Sequence, residues 1–143
     1  MTAKELPGRP ARTIIATLGL FYLCAVLWVT LRPLPWATEG NQEPYGILNP
    51  RAWIGSSTWL SGSPLEVAAN VAMFLPLGLV AGLLFRGAAR VIIPVAVTVA
   101  IELAQIPLGD RISHPRDLVA NALGAVLGLM IAVLVVSRRS ARA

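Results

Sequence analysis

The 143-residue sequence contains one cysteine, Cys24, and one histidine, His114, and only 13% of its residues are charged. A single thiol excludes an intramolecular disulfide, and one imidazole with no thiolate beside it is too short a ligand set for zinc. No metal and no cofactor is therefore expected. A P-loop, a Ser/His/Asp set and an evident nucleophile are all missing, which leaves acid/base chemistry on carboxyl groups as the one enzymatic option. Acidic residues are scarce as well, seven against twelve Lys and Arg, for a net charge of +5. The basic residues stand in short clusters beside apolar runs, the pattern of a topology signal rather than of a phosphate-binding surface, so no nucleic acid partner is expected. What the chain has in abundance is apolar sequence: it is 56% hydrophobic with a mean hydropathy of +0.70, beyond the usual range of soluble domains.

Four runs, residues 13–31, 65–85, 91–108 and 118–136, are long enough at about 1.5 Å per residue to cross a hydrocarbon core roughly 30 Å thick. The first is longer than the apolar core of a signal peptide and runs into Arg32 without a small-residue cleavage site, so it reads as a retained helix. The expected fold is an all-α integral membrane protein, a four-transmembrane-helix bundle forming a single domain over 1–143. Eight of the twelve basic residues (Lys4, Arg9, Arg12, Arg86, Arg90, Arg138, Arg139 and Arg142) fall on one side of such a bundle. That bias puts both termini in the cytoplasm and residues 32–64 and 109–116 outside. The long outer loop carries Trp36, Tyr45, Trp53 and Trp59, ring types that anchor at the headgroup zone. Its stretch "NPRAWIGSSTWL" is expected to form a short interfacial or re-entrant helix.

Within these runs the polar residues fall on shared faces. Glu66, Asn70 and Phe74 are spaced i, i+4, i+8; Thr98, Glu102 and Gln105 form one stripe; Asp117, Asn121, Gly124 and Gly128 form another. Counted from the outer ends, Asn70 and Glu102 lie roughly 9 Å deep and Asn121 roughly 6 Å. The expected product is an outward-facing pocket among the second, third and fourth spans, with Arg111, His114 and Arg116 in the loop above it. A buried carboxyl group without a partner takes up a proton, whereas Arg111, near enough in sequence to fold back over the pocket, would keep Glu102 ionised; both states stay open. Gly78-x-x-x-Gly82 and Gly124-x-x-x-Gly128 offer surfaces on which helix backbones approach closely, and Pro76 frees a carbonyl inside the second span.

"NVAMFLPLG" at 70–78, "ELAQ" at 102–105 and "RISHPRDLVANALGAVLG" at 111–128 resemble the VanZ-like family. The resemblance rests on Asn70, Phe74, Pro76, Gly78, Glu102, Gln105, Arg111, Asp117, Asn121, Gly124 and Gly128. Many relatives carry further acidic residues just before the Asp, where this chain has His114, Pro115 and Arg116, and that departure weighs against a cation site. The resemblance implies a multi-pass protein of the bacterial cytoplasmic membrane, part of the cell envelope, in a family named for teicoplanin resistance, an antibiotic-resistance trait.

Two functional readings and one structural reading stand. Asn70, Glu102, Gln105, Arg111, Asp117 and Asn121 form a ligand pocket through which the protein binds or modulates an outer-leaflet component, a lipid-linked cell-wall precursor or a glycopeptide. Alternatively, Glu102 and Asp117 act as acid and base on a lipid-linked group. In the structural reading the same groups only hold helices together, although interhelical hydrogen bonds average about 0.6 kcal/mol, a weak reason to bury a carboxyl group. Asp117 also suits the start of a helix, where the dipole favours negative charge. Membrane lipids are expected partners in every case, and self-association stays open.

Overall fold

The computed structural model describes residues 8–33, 44–60, 63–108 and 110–140; Lys4, Trp36 and Arg142 lie outside the described residues. Every regular element among them is helical: α1 (Arg9–Leu31), a 3-10 turn at Gly46–Leu48, α2 (Pro50–Ile54), α3 (Ser56–Leu60), α4 (Pro64–Leu84), α5 (Ala89–Gln105) and α6 (Pro115–Ser140). α1, α4 and α6 are long and apolar enough to cross a membrane. α5 is shorter, at 17 residues.

Prolines mark the helix starts, because a first-turn residue has no use for its N–H. Pro10, Pro50, Pro64 and Pro115 all sit there. α4 adds a capping box. Its Leu65 N–H donates to Ser63 Oγ at 3.1 Å, and Glu66 Oε2 accepts the Ser63 N–H at 3.2 Å. The expected helix in "NPRAWIGSSTWL" is two helices, because Gly55 leaves helical geometry and caps α2. There the indole N–H of Trp53 donates to the Ile47 carbonyl and that of Trp59 to the Trp53 carbonyl. Both rings therefore satisfy their polar edge internally and stay about 40% exposed, as interfacial anchors do.

The tightest seam runs between α4 and α6. A Cβ at Gly78 would run into the Ala125 backbone, one at Gly124 into the Val71 carbonyl oxygen, and one at Gly128 into the Leu75 carbonyl oxygen. Backbone therefore lies on backbone, the contact expected of small-x-x-x-small faces in a membrane. α1 packs on the other side of α4, where Val26, Phe74, Leu77 and Ile101 form a buried apolar core with Tyr22, Leu27 and Val97 around it. Pro76 removes the N–H that would bond the Ala72 carbonyl. Beside it the Tyr22 hydroxyl donates to the Met73 carbonyl at 2.9 Å, tying α1 to the interrupted turn.

Outside the core, large apolar side chains such as Leu18, Phe21, Trp28, Leu123, Met130 and Leu134 are exposed along the helices. An apolar skin of this extent suits a lipid solvent, not water. The buried polar side chains, among them Glu102, Gln105, Ser113 and Asn121, gather toward one end of the bundle instead.

Candidate functional site

That end is built where α1 and α5 finish and α4 and α6 begin. Glu102, in the last turn of α5, is 2% exposed, and its Oε2 accepts the backbone N–H of His114 at 2.8 Å. The Ser113 side chain hydrogen-bonds the same carboxyl group. Glu102 thus pins the segment leading into α6 and acts as a backbone anchor. Ser113 is in turn clamped from above: its Oγ accepts the Ile47 N–H at 3.4 Å, and a Cβ at Gly46 would meet its Cβ at 2.5 Å. Gly46 has φ +51, a left-handed backbone that glycine adopts without penalty, so it serves both the turn and the close approach.

α4 and α6 face each other through a second set. The Asn70 side chain hydrogen-bonds Asp117, and Arg116 lies 3.3 Å from Glu66 and 3.8 Å from Asp117. Asp117 stands in the first turn of α6, where the helix dipole favours its charge. One turn deeper, Asn121 is 3% exposed. Its Oδ1, Asp117 Oδ1 and Thr98 Oγ1 are buried without a hydrogen-bond partner. Burial pushes the His114 pKa down; Asp117 opposes this, Arg116 reinforces it and Glu66 opposes it. Beside the histidine, Ala52, Ser57, Thr58, Ser113 and Pro115 help line a cavity of about 40 Å³. That holds a water-sized group and is far below the roughly 300 Å³ at which enclosed ligand sites begin.

Four of the six expected pocket residues, Asn70, Glu102, Asp117 and Asn121, meet at this end among α4, α5 and α6. The other two turn to α1. Gln105 Nε2 donates to the Thr30 carbonyl at 3.0 Å. Arg111 does not pair with Glu102: its guanidinium donates to the Val29 carbonyl at 2.8 Å and to the Arg32 carbonyl at 2.7 and 3.1 Å. The free carbonyls at the end of α1 carry partial negative charge and attract the cation, while Glu102 already has its donors. Burial lowers the Arg111 pKa, with Asp110 opposing and the nearby Arg32 reinforcing the shift. Arg32 itself lies over the Trp28 ring at 5.0 Å. The parts that sequence reasoning missed, the last carbonyls of α1 and the Gly46–Ser113 clamp, are backbone features with little side-chain signature.

A buried Glu at the end of one helix, a Gln one turn on, and an Arg followed by Asp and Asn at the start of the next now stand in one three-dimensional arrangement. The VanZ/LLP1 family model matches residues 19–136, which takes in all of these positions. The chain belongs to the VanZ/LLP1 family. No curated protein and no solved structure gives a significant match. The matched range begins inside α1 and ends inside α6, so this VanZ/LLP1 domain includes the α1 clamp as well as the polar end.

Proposed function

We propose that this VanZ/LLP1 protein crosses the bacterial cytoplasmic membrane four times, with both termini and the Arg86–Arg90 turn inside. Its polar end then faces outward and binds or modulates an outer-leaflet or cell-wall component, a lipid-linked precursor or a glycopeptide. The basic clusters support this orientation. Together with Ile106–Leu108, α5 has the length for the fourth crossing.

One observation carries the binding reading: two buried acceptor oxygens at this end make no hydrogen bond. Asp117 Oδ1 and Asn121 Oδ1 are buried without hydrogen bonds, a cost that a ligand amine, amide or hydroxyl would relieve. The ligand expected is therefore a peptide- or sugar-bearing headgroup that offers donors, since Arg111 is spent on α1. The small cavity favours recognition at the rim, around the Asp117 side chain, which is 25% exposed.

Asp117→Asn tests this reading, because it replaces a charged acceptor by a neutral group of the same size. On the binding reading the variant folds and inserts normally but retains a lipid-linked cell-wall precursor about tenfold less or worse in native mass spectrometry, the loss of one charge-assisted hydrogen bond. Teicoplanin susceptibility shifts with it. An enzyme would instead leave a chemically altered precursor accumulating in cells with Asp117→Asn or Glu102→Gln. Unchanged retention and susceptibility in a stable Asp117→Asn protein, with Glu102→Leu affecting only bundle stability, would reduce the cluster to packing.

A further inference from the structure

At the opposite end of the bundle an apolar groove of about 260 Å³ opens between α1, α4 and α5, lined among others by Ala16, Gly19, Leu23, Leu77, Leu84 and Phe85. On α1 it is bordered by the small residues Ala16 and Gly19, and Gly19 packs so closely on Val80 that a Cβ there would lie 2.7 Å from its Cγ1. The volume is several times the roughly 30 Å³ share of one water, and the apolar wall gives water nothing to bond, so hydrocarbon is the natural filling.

The groove ends under two arginines. Arg12, one turn before Ala16, donates from Nη2 to the Leu84 carbonyl at 3.2 Å, and Arg90 donates from Nε to the Phe85 carbonyl at 2.9 Å. Leu84 and Phe85 are themselves groove residues, so both guanidiniums are fastened to its rim by carbonyls of the groove wall. A guanidinium keeps its positive charge when it bonds a carbonyl, so the rim of the groove is cationic.

We propose that the groove holds one acyl chain of an anionic phospholipid whose headgroup phosphate lies against Arg12 and Arg90. An apolar slot with a cationic rim at a helix-bundle end matches the two halves of such a lipid, whereas a zwitterionic lipid offers the rim no net charge. The inference rests on α1, α4 and α5 crossing the bilayer, and it is independent of what the polar end binds.

The test is native mass spectrometry of the full chain released from detergent micelles containing equal amounts of phosphatidylglycerol and phosphatidylethanolamine with matched chains. One phosphatidylglycerol per chain is expected, preferred roughly 30-fold, the effect of two cations beside an anionic headgroup. Arg12→Gln/Arg90→Gln, which keeps groups able to bond the same carbonyls, should bring the ratio close to one. Ala16→Trp leaves the charges in place and fills the groove, and should lower retention of both lipids about tenfold. Equal retention of the two lipids by the parent overturns the proposal, as does a parental lipid count in Ala16→Trp. If the double variant fails to fold, Arg12→Gln alone must reduce the preference for the proposal to stand. A parent that is dimeric, with an Ala16→Trp variant that is monomeric, overturns it in favour of a second copy of the chain in the groove.

Discussion

Replacing Arg111 by alanine removes the clamp on the end of α1. Three guanidinium contacts, at 2.7, 2.8 and 3.1 Å, converge on two carbonyls that have no intrahelical donor. A sheltered hydrogen bond to a charged group contributes about 1.5–3 kcal/mol, and a cation at a helix C-terminus up to about 2 kcal/mol. Arg111 is only partly buried and water can serve the same carbonyls, so the expected loss is about 2 kcal/mol rather than the sum of the contacts. Arg111→Lys keeps the charge but serves one carbonyl at a time, and should cost about 1 kcal/mol. Reversible unfolding of the detergent-solubilised protein by added SDS, followed by far-UV circular dichroism, measures both. The expected order of stability is Arg, Lys, Ala. Repeating Arg111→Ala in a Glu102→Gln background should give the same loss. If the loss vanishes there, Arg111 serves the carboxyl group after all, and the α1 clamp is refuted; an Arg111→Ala protein as stable as the parent refutes it too.

His114 is the single histidine, so its titration can be followed directly by proton NMR. Burial holds its pKa below the ordinary value, so the folded state favours the neutral ring, and the associated stability is fully present above about pH 6.5 and lost as pH falls through the folded value. A midpoint at or above 6.5 would contradict the packing described here; Asp117→Asn, which removes a charge that raises the pKa, should move the midpoint lower still. For topology, a cysteine at exposed Ser56 in a Cys24→Ser background should react with an impermeant thiol reagent in intact cells, and one at exposed Ala88 should not. Ser113 is too buried, at 3% exposure, to serve as an outer reporter.

Helices were the easiest feature to read from sequence, because long apolar runs bounded by proline and serine define them without reference to a partner. The four expected runs each lie largely within a helix, and the glycines chosen for close approach are the ones buried in the α4–α6 seam. The facing of Asn70 and Asp117 was also legible, since helical spacing converts directly into direction. Gln105 and Arg111 were not placed correctly. Spacing located them on a face and above a pocket, but their partners are main-chain carbonyls of α1, and every residue has one. Nothing in "LWVTLR" marks Val29, Thr30 and Arg32 as acceptors until the end of α1 is seen beside α5. The hold of Glu102 on residues 113 and 114 was equally hidden, because its strongest partner is a backbone N–H.

The hydrogen bonds that fasten α1 to the rest of the bundle have a consequence in time. Tyr22 to Met73, Arg12 to Leu84, Gln105 to Thr30, and Arg111 to Val29 and Arg32 span from 51 to 82 residues of sequence. During synthesis at roughly 5–20 residues per second, the partners farthest along the chain emerge about 4–16 s after the carbonyls that they bond. The first helix made is consequently fastened in steps, to α4 first and through Arg111 last, before α6 has been synthesised. Until α4 emerges, α1 is a lone apolar helix, held at its depth by lipid and by its flanking arginines, and other nascent helices or insertion factors can reach the face that later meets α4. Arg111 is the latch that completes its attachment.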